Sequence, residues 1–111
     1  MQTMVNAAGK ARCQQAIKDA VPYLRAELGS DVEVAGEPTE MLYELVGEDR
    51  AGNPLAEVAT TFPVRWRGGQ GVAKARGRIV WPRGTLELQQ LWLDGRELRM
   101  RAMLPEADPA A

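Results

Sequence analysis

From Cys13 onward the apolar positions fall at Ala16, Ile17, Ala20, Val21, Leu24 and Leu28, the three-and-four spacing that lines one face of a helix. Lys10, Lys18, Arg25 and Glu27 project elsewhere, and Gly29 supplies a residue able to turn left-handed just past the last turn. Pro22 lacks an N–H and its ring crowds the Lys18 carbonyl. The pattern therefore predicts a kinked helix, or two abutting helices with Pro22 opening the second.

After Gly29 the period changes from 3.6 to 2, predicting strands over 32–35, 41–47, 55–66, 72–81, 85–93 and 96–104. Gly52-Asn53-Pro54, Gly68-Gly69-Gln70-Gly71, Pro82-Arg83-Gly84 and Asp94-Gly95 punctuate them as short antiparallel connections do. Asp94-Gly95 is the strongest hairpin signal, because both central positions of a type I′ turn need positive φ. In the fifth segment Leu86 and Leu88 are in one phase and Leu91 and Leu93 in the other, so a bulge is expected near Gln89-Gln90. In the sixth, Leu98, Met100, Ala102 and Leu104 alternate with Glu97, Arg99 and Arg101.

One helix followed by a meander of strands predicts an α+β domain: an N-terminal kinked helix packed on a curved antiparallel sheet of about five or six strands. Phe62, Trp66, Trp81 and Trp92 are expected to supply much of the packed area. Residues 1–111 read as a single domain, with an ordered core over 12–104 and a flexible tail over 105–111.

Composition narrows this picture. With 111 residues and 45% apolar content the chain is long enough to bury about two thirds of its unfolded surface in one core. The lone Cys13 lies on the apolar stripe, so it reads as a small buried hydrophobe and the compartment as reducing and cytoplasmic. No signal-peptide-like run opens the chain, and no segment approaches the ~20 apolar residues that span a bilayer. The chain is therefore expected to be soluble.

The inventory excludes most catalysis. There is no histidine, and Ser30 is the only serine, so neither a Ser/His nor a Cys/His nucleophile can be assembled. No catalytic residue, metal site or cofactor is expected. Glu44 and Glu57 on neighbouring strands could couple as a carboxylate pair, but solvent-facing positions account for both. Glu48, Asp49 and Asn53 lack the spacing of a calcium loop. Gly68-Gly69-Gln70-Gly71 joins two strands, so no helix N-terminus stands behind it to hold a phosphate.

Charge patterning carries more. Positions 65–83 hold six basic side chains and no acid, whereas 31–57 hold eight acids and the single base Arg50, within a net charge of -1. Arg65, Arg67, Lys74, Arg76, Arg78 and Arg83 form a basic hairpin expected to bind an acidic protein surface, or the acidic strand of a second copy in a homodimer. A second reading is a cone-shaped small-molecule pocket lined by Tyr23, Tyr43, Phe62, Trp66, Trp81 and Trp92. A third is an anion or nucleic-acid binder; the acidic pI of 5.5 and the core phase of Trp66 and Trp81 disfavour it.

The segments Ala20-Val21-Pro22-Tyr23-Leu24, Val34-Ala35-Gly36-Glu37-Pro38, Phe62-Pro63-Val64, Gly69-Gln70-Gly71-Val72-Ala73-Lys74-Ala75 and Leu86-Glu87-Leu88, with a Leu91-Trp92-Leu93 strand ending at Asp94-Gly95, resemble the cytochrome oxidase complex assembly protein family. The resemblance spans about residues 16–98. It implies a helix packed on an antiparallel sheet and a non-catalytic assembly factor that works by contacting other proteins. It brings no catalytic residue with it, and the membrane-spanning helix that precedes this domain in the family has no counterpart in the sequence.

Overall fold

A computed structural model of the protein describes residues 7–100. Helix α1 (Ala7–Leu28) precedes strands β1 (Glu33–Val34), β2 (Glu40–Glu48), β3 (Pro54–Trp66), β4 (Gly69–Val80), β5 (Thr85–Leu93) and β6 (Arg96–Glu97). The strands form one antiparallel sheet ordered β1-β3-β4-β5-β6, with β2 also paired to β3. β1 meets β3 at Val64 and Arg65, while β2 meets it from Pro54 to Thr61. The two therefore share one edge of β3, interrupted between residues 34 and 40. The α+β class and the helix-on-sheet arrangement match the sequence reading.

β3 alternates without a break: Ala56, Val58, Thr60, Phe62 and Val64 are buried, and the residues between them are only partly covered. Period 2 sends the first set to one face, where they share a core with Cys13, Ala16, Ile17, Ala20 and Leu24 of α1. Thr60 is the one polar residue buried in this layer among the described residues, and its hydroxyl donates to the Glu40 carbonyl at 2.9 Å. Cys13 is buried too, its Sγ 3.6 Å from the Leu42 carbonyl. Burial raises its thiol pKa, which keeps it protonated and unreactive.

The phase slip in β5 is a bulge. Arg76 pairs with Gln90 and Gly77 with Leu88, so Gln89 is the extra residue and all four leucines reach the inner face. A second bulge, at Val46 in β2, had no such signal. The Asp94-Gly95 turn has φ of 50° and 83°, as a two-residue type I′ connection requires.

Three expectations need correction. α1 is one continuous helix that starts at Ala7 with the exposed Pro22 inside it, so of the two readings of Pro22 the one with two abutting helices falls. The helix tolerates Pro22 because the Lys18 carbonyl it leaves without a helical donor lies on an exposed turn. The β3–β4 turn is only Arg67-Gly68, and Gly69 already pairs with Trp66. β6 ends at Glu97, because Leu98 leaves the ladder after donating to the Leu91 carbonyl at 2.8 Å and buries its side chain. Residues 98–100 are not in a strand, and residues 101–104 of the expected last strand and the tail lie outside the described residues.

Gly77 shows how tightly β4 and β5 meet. A Cβ there would lie 3.0 Å from the Glu87 carbonyl oxygen and 2.8 Å from Leu86 Cδ1. The backbone atom cannot swing aside, so Gly77→Ala is expected to destabilise the fold by about 1–3 kcal/mol, read as a lower urea midpoint. An unchanged midpoint would mean that the bulge relaxes.

Candidate docking face

α1 covers one face of the sheet only. On the opposite face the register lines up side chains in rows across four strands. Glu40, Thr61, Lys74 and Trp92 form one row, Leu42, Ala59, Arg76 and Gln90 the next, and Glu44, Glu57, Arg78 and Glu87 the third. Positive charge runs down β4, in the centre, and negative charge down β2, at the edge.

The six predicted cations do not make one ribbon. Arg67 and Arg83 sit in the turns before and after β4, whose 12 residues separate them by ~40 Å. Arg65 is ion-paired to Glu33 across β1, with both side chains more than half exposed. Arg76 Nε lies 2.8 Å from Glu57 Oε1, and the Glu57 side chain is only 19% exposed. Lys74 and Arg78 are exposed and have no carboxylate within ion-pair distance among the described residues. Lys74 instead lies over the Trp92 ring, 5.7 Å from its centroid. Two of the six cations therefore remain on the exposed face without a carboxylate.

Placing the cations on β4 also constrains how they can be used. Both edges of β4 are occupied, by β3 and β5. A partner strand cannot add to the basic hairpin by backbone pairing, and the cations can be met only face-on.

Trp92 was expected to face the helix. It stands on the opposite face, paired with Lys74, while its neighbours Leu91 and Leu93 are buried in the core. The other aromatic residues go elsewhere: Phe62 is fully buried, and Tyr23, Tyr43, Trp66 and Trp81 pack against the core edge. Trp81 is capped by Arg12, whose guanidinium lies 5.4 Å from the ring centroid and donates to the Gly84 carbonyl at 2.9 Å. Of the six, Tyr23 lines an open groove of about 880 Å³ with Leu88, Leu98 and Met100. A second groove, of about 530 Å³, runs between α1 and residues 34–38, with Ile17, Val21 and Pro38 on its walls and none of the six aromatics. The aromatic set therefore does not line one common cavity.

The carboxylate candidates are accounted for locally. Glu44 and Glu57 are directly opposite in the β2–β3 register, but Glu57 is committed to Arg76. Asp49 organises the β2–β3 loop: Oδ1 accepts from the Ala51 and Asn53 amides at 2.9 and 2.8 Å, and Oδ2 accepts from Asn53 Nδ2 at 3.0 Å. Both oxygens are thus engaged by the loop rather than presented to a cation. Among the described residues no group of three metal-ligating side chains converges, and no helix is long and apolar enough to cross a membrane.

The Asn53 side-chain bond, with the loop amides, lowers the Asp49 pKa. A lowered folded-state pKa contributes stability above the unfolded value of about 3.9 and loses it as pH falls through the folded value. The loop amides of Ala51 and Asn53 are accordingly expected to lose protection, measured against the intrinsic exchange rate at each pH, below about pH 4. In Asp49→Asn that acid-dependent step should vanish; its persistence would assign it to another carboxylate.

No family model, curated protein or solved structure matches this chain.

Proposed function

We propose that this domain is a non-catalytic protein-interaction module that docks an acidic partner surface face-on against the uncovered side of its sheet. One observation carries the reading: Lys74 and Arg78 stand two rows apart on a central strand, exposed, and among the described residues they have no carboxylate partner and no element packs over their face. A rigid four-strand platform holds both charges at fixed spacing, so little ordering entropy opposes docking. Trp92 adds a flat apolar surface beside Lys74, of the kind that anchors protein contacts. The assembly-factor role implied by the family resemblance is of the same class, since such factors work by contact.

Poly-glutamate serves as the probe. At low salt the domain is expected to bind it, and Lys74→Glu with Arg78→Glu should weaken binding at least tenfold. Reversing Lys10 and Lys18 on α1 should leave it unchanged. Equal loss in both variants would mean that the peptide reads net charge, and the assignment of the face would fail.

A further inference from the structure

The rows of the uncovered face carry a second regularity, which rests on the docking reading and names the partner. Glu40 and Lys74 are in one row, both paired with Thr61; Glu44 and Arg78 are in another, both paired with Glu57. In each case the acid is on β2 and the cation on β4, one strand to either side of β3. A two-fold axis running along β3 above this face exchanges β2 with β4 and keeps every row in place. A second copy applied by that operation sets its Lys74 over Glu40 and its Arg78 over Glu44, and receives the same two contacts in return.

We infer that the acidic surface this face docks is its own β2 strip on a second copy, forming a two-fold, face-to-face dimer. Sheets stack ~10 Å apart, a gap that Glu reaching from one side and Lys or Arg from the other can close. Leu42 would lie under the partner's Arg76 stem, and Ala59 would meet its own counterpart on the axis. The two Glu57 carboxylates also approach there, each already held by its own Arg76 at 2.8 Å. The axis along β3 superposes only β2, β3 and β4 of the two copies, so three strands at ~4.8 Å spacing and about ten residues at ~3.3 Å give a footprint of roughly 480 Å² per copy. The total of roughly 950 Å² lies below the range of stable specific interfaces, so a weak, reversible dimer is expected.

Edge-to-edge pairing through β2 is the competing arrangement, because no described strand pairs with its outer edge and Leu45 and Val46 are 69% and 44% exposed. Charge opposes it. An antiparallel self-pairing centred on Leu42 sets Glu40 against Glu44, and one centred on Glu44 sets that residue against itself. Like charges directly opposite destabilise a ladder.

Charge exchange with sedimentation equilibrium as the readout tests the inference. Wild type should dimerise at low salt and dissociate as salt rises. Lys74→Glu/Arg78→Glu and Glu40→Lys/Glu44→Lys, each alone, should raise the dimer Kd at least 100-fold, with urea midpoints reported beside them to show that both remain folded. Mixed in equal amounts they should form a heterodimer, because every acid of one copy then faces a base of the other; the fourfold variant should dimerise with itself. Two folded variants that stay monomeric when mixed would overturn the inference, as would a dimer indifferent to both pairs of substitutions. A monomeric wild type that still binds poly-glutamate through Lys74 and Arg78 would reject the second copy and leave the docking reading standing. If it bound neither, both would fall.

Discussion

Replacing Phe62 with alanine is expected to lower the unfolding free energy by about 3–5 kcal/mol. Phe62 is the largest fully buried side chain among the described residues, at 0% exposure, in the middle of the longest strand. Pairing with β4 along its whole length, and with β2 and β1 on either side of Phe62, holds the β3 backbone in place, so the sheet cannot close around the space the ring leaves. Against a typical total of about 5–15 kcal/mol, such a loss leaves a marginal domain. Urea unfolding measures it, with Trp92→Ala as the contrast. The Trp92 ring is on the uncovered face under Lys74, so its removal should cost only about 1 kcal/mol. Comparable losses at the two positions would contradict their placement on opposite faces.

Leu24→Ala should come next, at about 2–5 kcal/mol. Beyond Pro22 the helix has six residues, and Leu24 is the only one of them that is fully buried, with Tyr23 and Leu28 half-covered. Pro22 has no N–H to donate to the Lys18 carbonyl, so backbone bonding is weakest just where Leu24 must hold the end of the helix to the sheet. Amide exchange should therefore rise first over residues 24–28 and only later in β3 and β4. Uniform acceleration across the fold would indicate that α1 has no separable end.

Much of this fold can be read from local pattern, because its signals are local. The three-and-four spacing identifies the buried face of α1, Gly29 with φ 125° ends it, and Asp94-Gly95 fixes the last hairpin. The conflict in phase between Leu88 and Leu91 marks the β5 bulge. The helix start is less legible, because Gly9, Lys10 and Arg12 break the apolar stripe although Gly9 is buried. Trp92 deceives for a chemical reason: as an apolar residue flanked by Leu91 and Leu93 it reads as core, yet strict alternation sends it outward, where the Lys74 side chain covers it.

The candidate site was legible in composition and hidden in arrangement. An acid-free segment at 65–83 announces the cations, but their partners lie far away in sequence, Glu33 for Arg65 and Glu57 for Arg76. The first exists only because β1 folds onto the edge of β3, and the second is set by the register of the β3–β4 hairpin; no local pattern specifies the docking of β1. Separating Lys74 and Arg78 from the other four therefore required the register. The shared rows of Glu40 with Lys74 and Glu44 with Arg78 required it twice over.

Amide shifts of the ¹⁵N-labelled domain, recorded as poly-glutamate is added at low salt, put the account to its most direct test. It predicts changes centred on Lys74 and Arg78 and spreading along their rows to Thr61, Glu57 and Trp92, with α1 silent. Changes centred on Lys10, Lys18 and Arg25 of the helix, or none at all, would contradict it.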